Sequence, residues 1–341
     1  MNKKIINKKV HIIFGILIIL FVAILFMSIV QGSVKIPLDE VINSIMSKGL
    51  KDSAFDSIIW KIRLPRVLGA IICGASLAIA GILLQVLFKN PLVDSYILGI
   101  SSGASLATAL FILGGIKFGL EILGTYTQIG IAFMGAILVM GLVLLISRKI
   151  QNSVSLLVIG LMMGYIASAI TSGLVAFAEK EALHGYVVWT MGSYASMSWE
   201  KISILYLILI PLCISIMAIS KPLNALLLGE NYAKSMGVNI KKIRGIIIVV
   251  SSLLTAMVTA FTGPISFIGL AVPHISRLVF KTSNNKILIP GTLLIGAMIS
   301  MFCDMIARTL VSPAELPLSS VTSVIGAPIV IYLILKRRSL V

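Results

Sequence analysis

The sequence predicts an all-α integral membrane protein, with about ten membrane-spanning helices in one compact bundle. Three observations carry that expectation. Hydrophobic residues fill 58% of the 341 positions, and the mean hydropathy is +1.09. Charged residues make up 12%, about half the share found in soluble domains. The apolar residues also fall in successive runs of about 20, the length an α-helix needs to cross the hydrocarbon core. A soluble chain of this size could not hide so much apolar surface. A bilayer removes the problem, provided every backbone polar group is satisfied within helices.

Candidate spans lie near 11–31, 64–87, 96–114, 128–147, 154–178, 202–220, 243–262, 265–280, 287–306 and 318–335. The span at 265–280 is short and interrupted by Pro273, and is expected to bend or cross only partly. The N-terminal MNKKIINKKV followed by an apolar run has the outline of a signal peptide. No small-residue cleavage site follows the run, so it is expected to remain as the first span. The apolar runs continue along almost the whole chain, which places residues 1–341 in a single transmembrane domain.

The net charge of +16 suggests nucleic acid at first sight. The basic residues instead sit in short loops between apolar runs, with no aromatic-interleaved patch, so no nucleic-acid partner is expected. With the N-terminus inside and spans alternating, 18 of the 28 Lys and Arg fall in inside loops. The inside set includes Lys89, Arg148, Lys149, Lys221, Lys234, Lys241, Lys242, Arg244, Arg277, Lys281 and Lys286. The outside set is Lys35, Lys48, Lys51, Lys61, Arg63, Arg66, Lys117, Lys180, Lys201 and Arg308. Much of it clusters in the long loop 32–63, and long loops are weak topology signals. Among acids, only Asp94 and Glu230 fall inside. Both termini are therefore expected in the cytoplasm of a bacterial cell, with the chain embedded in membrane lipid.

Small residues punctuate the spans: Gly69, Gly74 and Gly81 in one, Ser101, Ser102, Gly103 and Ser105 in another, Gly160 and Gly164 in a third. They are expected to let helix backbones approach closely. Cys73, Cys213 and Cys303 each stand alone in an apolar run and are expected to be buried small apolar residues. His11, His184 and His274 are scattered. His274 alone offers one ligand where metal sites need three or more, so no metal site is expected. No HExxH or Walker sequence occurs, so the chain is not expected to be an enzyme or to hold a cofactor. Almost every Asp and Glu falls in a loop or at a helix end. That disfavours the alternative of a gradient-driven secondary transporter, which commonly uses ionisable groups inside its spans.

The loop from Lys221 to Ile243 contains an amphipathic stretch, then Gly237, then a helix start at Asn239. Physics alone leaves two readings open, an interfacial helix lying on the membrane or a docking element for a cytoplasmic subunit.

Within this loop LLLGENYAKSMGVNIKKIR, residues 226–244, resembles the coupling segment of FecCD-type permeases, the membrane subunits of ABC importers for iron siderophores, haem and cobalamin. Further matching stretches follow in family order: RLPRVLGAIICGAS onward through residues 63–105, TGPISFIGLAVPHISRL at 262–278, and DMIARTLVSPAELPLSS onward through 304–334. The resemblance covers nearly the whole chain beyond residue 60. The departures are modest: Lys89 stands where the family usually has Arg, and Ser95 lies where a Pro is frequent nearby.

The resemblance implies a ten-helix permease that pairs with a second permease subunit, identical or paralogous. Two cytoplasmic ATPase subunits, which bind ATP and Mg, and an extracytoplasmic substrate-binding protein complete the machine. Arg63, Arg66 and Arg308 are implied to dock acidic residues of the binding protein, with a local Arg308–Asp304 pair as the alternative. Asn90, Pro91, Leu92, Asn152 and Ser153 are implied to line the cytoplasmic gate, although Asn-Pro is also an ordinary turn signal. The ATPase-coupling segment, residues 221–242, is implied to use Leu226, Leu227, Leu228, Gly229, Glu230, Ala233, Gly237 and Val238. Gly229 and Gly237 would permit sharp bends around a short helix between them.

Overall fold

The computed structural model describes residues 3–47, 49, 53–114, 125–150 and 152–338. Lys48, Lys51 and Lys117, counted above, lie outside the described residues, as do the side chains of Lys3, Lys4, Ser153, Lys336, Arg337 and Arg338.

The described residues form fifteen α-helices and no strand. In order these are α1 (Lys3–Val30), α2 (Leu38–Met46), α3 (Ala54–Ile58), α4 (Leu64–Phe88), α5 (Ile100–Ile112), α6 (Thr125–Lys149), α7 (Ser153–Ala176) and α8 (Lys180–Thr190). Then come α9 (Trp199–Ala218), α10 (Ser220–Leu228), α11 (Glu230–Ser235), α12 (Ile240–Thr262), α13 (Ile268–Phe280), α14 (Asn285–Thr309) and α15 (Leu318–Arg338). Seven helical stretches are long and apolar enough to cross a membrane, α5 and α13 are shorter apolar helices, and α15 is apolar over Leu318–Tyr332. Each expected stretch overlaps an apolar helix, and two of these helices, α5 and α13, have only 13 residues.

The second span begins about ten residues earlier than the apolar run suggests. Ser53 and Asp56 form a reciprocal capping box that starts α3, and a π-helical turn, Ile59–Arg63, joins α3 to α4. Pro65 explains the turn: it has no N–H and its ring crowds the carbonyl four residues back, so the chain inserts a wider turn ahead of it.

The central element is α4, with 89% of its span buried inside the chain, against 17% for α1 and 22% for α6 and α7. Around it pack α9, α12, α13 and α14. Glycine makes the closest approaches possible: a Cβ on Gly81 would lie 1.9 Å from the Gly269 carbonyl oxygen, and one on Gly74 would lie 2.2 Å from the Ser300 Cβ. Of the small residues read from the sequence, Gly74, Gly81 and Gly103 lie at close helix–helix approaches, and Gly69 and Gly160 face loop residues. The weakly buried outer helices offer their apolar surface to lipid.

Interactions between distant segments define two ends of the bundle. At one, the C-terminal ends of α1 and α14 meet the start of α4 through Arg63, Arg66 and Arg308. At the other, Asn224 of α10 bonds Asn284 and Asn285 at the start of α14, and Arg244 near the start of α12 donates to the Ile150 carbonyl beyond α6.

Candidate functional site

The residues singled out by sequence fall into three groups, and the structure keeps the groups apart. Arg63, Arg66 and Arg308 share one end, but all three are buried, between 3% and 5% exposed. Their guanidiniums are turned into the chain. Arg63 donates from Nη1 to the carbonyls of Ile29 (2.7 Å) and Val30 (2.6 Å), and from Nη2 to that of Val34. Arg66 spans two acids: its Nε donates to both Asp304 oxygens at 3.0 and 3.1 Å, and Nη1 and Nη2 to the Glu315 oxygens at 2.6 and 3.0 Å. Arg308 donates to the Ser28 carbonyl, and its Nε lies 3.4 Å from Asp304 Oδ2. The local i,i+4 pair is therefore present. Arg63 thus fastens the end of α1 to the start of α4, Arg66 fastens α4 to α14 and to the loop before α15, and Arg308 fastens α14 to α1, since a buried guanidinium is costly unless paired.

Asp304 also qualifies the expectation that carboxylates avoid the spans. It is 1% exposed inside α14. Two arginines neutralise it, so Asp304 belongs to a structural ion cluster.

The Asn90–Leu92 turn packs against α13. Asn90 Oδ1 accepts from the Leu92 N–H at 3.0 Å, and His274 Nε2 lies 2.8 Å from the Pro91 carbonyl. The same loop is pinned by Gln85, which donates to the carbonyls of Val93, Gly269 and Leu270 and accepts from Arg277. Asp94 accepts from the Ser95 N–H (2.6 Å) and hydroxyl (3.1 Å), and burial pushes its carboxyl above the ordinary range against those bonds. His274 thus braces a turn. Among the described residues no group of three or more His, Cys, Asp or Glu is placed to hold a metal ion. Asn152 caps α7, accepting from the Val154 N–H at 2.8 Å, and Ser153 is the first residue of that helix. Among the described residues no hydrogen bond joins the 90–92 turn to Asn152.

The third group lies at the opposite end from the arginines. Helices α10 and α11 meet at Gly229 (φ 127°), and Gly237 (φ 82°) ends α11. Both conformations belong to glycine, so the two bends expected from the sequence are there. Glu230 pairs with Arg244 at 2.9 Å, and the Val238 N–H donates to the Ala233 carbonyl at 3.0 Å. Leu226 and Ala233 are core residues, 5% and 0% exposed, because α10 packs on α14 and α11 on α12. They form the foundation of the knob rather than its surface. The outward apolar surface is Leu227, Leu228, Tyr232 and Met236. Sequence reasoning does not single out Tyr232 and Met236, although both fall in the quoted motif. Their spacing of four residues from each other, one helical turn, is the available signal.

Known proteins resemble the chain along nearly its whole length. A model of the FecCD transport family matches residues 18–336. The vitamin B12 import system permease protein BtuC of Vibrio cholerae is 35% identical over 282 residues, covering 82% of this chain and 83% of that protein. The hemin transport system permease protein HmuU of Yersinia pestis is 35% identical, covering 82% and 84%. A solved structure of an inward-facing ABC transporter assigned to the metal-chelate type superposes with a TM-score of 0.83 at 32% identity, covering 96% of this chain and 99% of that one. The PsaBC structure of Streptococcus pneumoniae, 14% identical with a TM-score of 0.53, shares the fold. The chain belongs to the FecCD transport family.

Proposed function

We propose that this chain is the membrane-spanning permease subunit of an ATP-driven ABC importer, carrying metal chelates of the iron-siderophore or haem kind, or corrinoids, across the cell membrane. One structural feature carries the proposal beyond family membership: a bent pair of short helices, α10 and α11, fixed between α9 and α12, shows four exposed apolar side chains to water. Exposed apolar clusters mark interaction surfaces, and a rigid knob attached to two spans is a lever through which a separate ATPase can move them. The arginine end then faces outward, toward the binding protein. The termini and the basic groove of Arg148, Lys234, Lys241 and Lys242 face the cytoplasm, in keeping with the bias of basic loops. A second permease subunit completes the pathway, and the turns at 90–92 and 152–153 form its inner gate.

Arg66 is the group on which docking rests. Glu315 is partly exposed, and its carboxylate holds the same fork that an acid of the binding protein would take. A gradient-driven carrier is disfavoured, because the buried acid Asp304 is already paired. The test is reconstitution in proteoliposomes with the cognate ATPase and binding protein. Uptake should require ATP and survive collapse of the ion gradients. Uptake that needs a gradient and ignores ATP would refute the proposal.

A further inference from the structure

The cavity at the arginine end, about 450 Å³ in volume, has an unexplained cationic side chain in its wall. Lys201 lines it and is 7% exposed. Its ammonium donates to the Ser196 carbonyl at 2.8 Å. An ammonium has three protons to place, and a lone neutral carbonyl does little to offset the cost of burying the charge. Among the described residues no carboxylate lies within ion-pair distance of it. The two acids nearby are committed elsewhere: Glu315, on the cavity wall, to Arg66, and Glu200 to the Tyr126 hydroxyl at 2.7 Å. Lys201 also stands in the first turn of α9, where the helix dipole favours negative charge. Burial, lack of an acid and helix position all oppose a cation here, and all would be relieved by an anion in the cavity.

The walls suit a sizeable guest. Trp189 and Met191 give apolar surface, and Gln128 and Ser193 give neutral hydrogen-bonding groups. The volume falls in the range of small-molecule pockets, about 300–1,000 Å³.

We infer that this cavity is an entry site where Lys201 receives an anionic oxygen group of the incoming cargo, so that the importer favours carboxylate-bearing, negatively charged metal chelates over neutral ones. The inference rests on the importer reading and narrows its substrate class.

The test uses the full permease with its ATPase in nanodiscs of uncharged lipid. Equilibrium binding is measured for radiolabelled ferric citrate, an anionic carboxylate chelate, and for cyanocobalamin, a cargo-sized chelate without net charge. Ferric citrate should bind more tightly, and Lys201→Met should weaken it about tenfold or more. Lys201→Arg should stay within about threefold of the native protein, because the charge is kept. Cyanocobalamin binding, if measurable, should be the same in all three proteins, and matching melting temperatures in a thermal-shift assay show that the variants are folded. Equal ferric citrate binding by native protein and Lys201→Met, no ferric citrate binding by native protein, or loss of both probes in Lys201→Met would each overturn the entry site. ATP-driven uptake in the same preparations separates the two levels: if it persists while the binding prediction fails, only the anion site falls.

Discussion

Arg66 and Glu315 are 249 positions apart in sequence and meet as a two-bond pair, at 2.6 and 3.0 Å. The pair closes the loop before α15 over the start of α4. It also gives Arg66 an internal acid, with the planar geometry that an arginine fork recognises best.

A binding-protein carboxylate that seeks Arg66 must displace this internal one. Glu315→Gln removes the competing charge and leaves the side-chain volume nearly unchanged. The variant should bind the loaded binding protein more tightly, by about three- to tenfold, as measured by biolayer interferometry on nanodiscs. Lower or unchanged affinity would mean that Arg66 serves the fold alone. Reversing the charge at Arg66 is a poorer experiment, because a glutamate there would face Asp304 and Glu315 and disrupt the bundle.

Asp304 ties Arg66 to Arg308, with contacts of 2.9 and 3.4 Å. Asp304→Asn leaves two buried guanidiniums short of their counter-ion. Removing one partner of a buried ionic cluster costs about 3–5 kcal/mol. The variant should melt well below the native protein in a detergent thermal-shift assay, and expression should fall. Arg308→Lys keeps the charge and should lose less. A melting temperature unchanged in Asp304→Asn would show that the cluster adds nothing to stability.

The amount visible in the sequence follows from the range of each interaction. Length and hydropathy are local, so most long apolar helices were legible to within a few residues, the exception being the helical turns at 54–63 that lead into α4. The bends at Gly229 and Gly237 were legible for the same reason, since turn chemistry depends on neighbours in the chain. Two of the ten expected spans, α5 and α13, proved to be 13-residue helices. The apolar loops leading into them, around Val93 and Ile265, fold into the core and look like helix in a hydropathy count. The inward turn of Arg63, Arg66 and Arg308 was not legible, because their partners come from α1, α14 and the 315 loop. Lys201 offered no motif. Its interest arises only when the cavity and the distribution of acids around it are known.

Topology can be tested without transport. Lys35, before α2, and Lys234, in α11, are both exposed and lie on the outer and inner sides of the proposed orientation. With the native cysteines buried and slow to react, Lys35→Cys should label with a membrane-impermeant maleimide in intact cells. Lys234→Cys should label only after lysis. The reverse pattern would invert the orientation, and with it the assignment of the arginine end to the binding protein.

The knob formed by α10 and α11 gives the most direct test of how ATPase motion reaches the spans. A Cβ added at Gly237 would meet nothing within 4 Å, so a larger side chain has room. The obstacle is the backbone, at φ 82°, where a β-branched residue costs about 1–3 kcal/mol. Gly237→Val should therefore pull the end of α11 away from the start of α12 while leaving the ten apolar helices intact. Gly245→Ala is the matched control: it lies within α12, where helical φ suits alanine, and its Cβ also meets open space. Leu227→Asp with Leu228→Asp attacks the surface instead of the hinge, since those two side chains are 39% and 68% exposed. Both the Gly237→Val and the double-aspartate proteins should insert, melt near the native temperature and bind the loaded binding protein. Both should lose ATP-dependent uptake by about tenfold or more, the double mutant through weaker ATPase co-purification as charge enters an apolar contact. Gly245→Ala should transport normally. If both test proteins transport at native rates, α10 and α11 do not couple the ATPase to the bundle, and the lever must be sought among the other loops at that end.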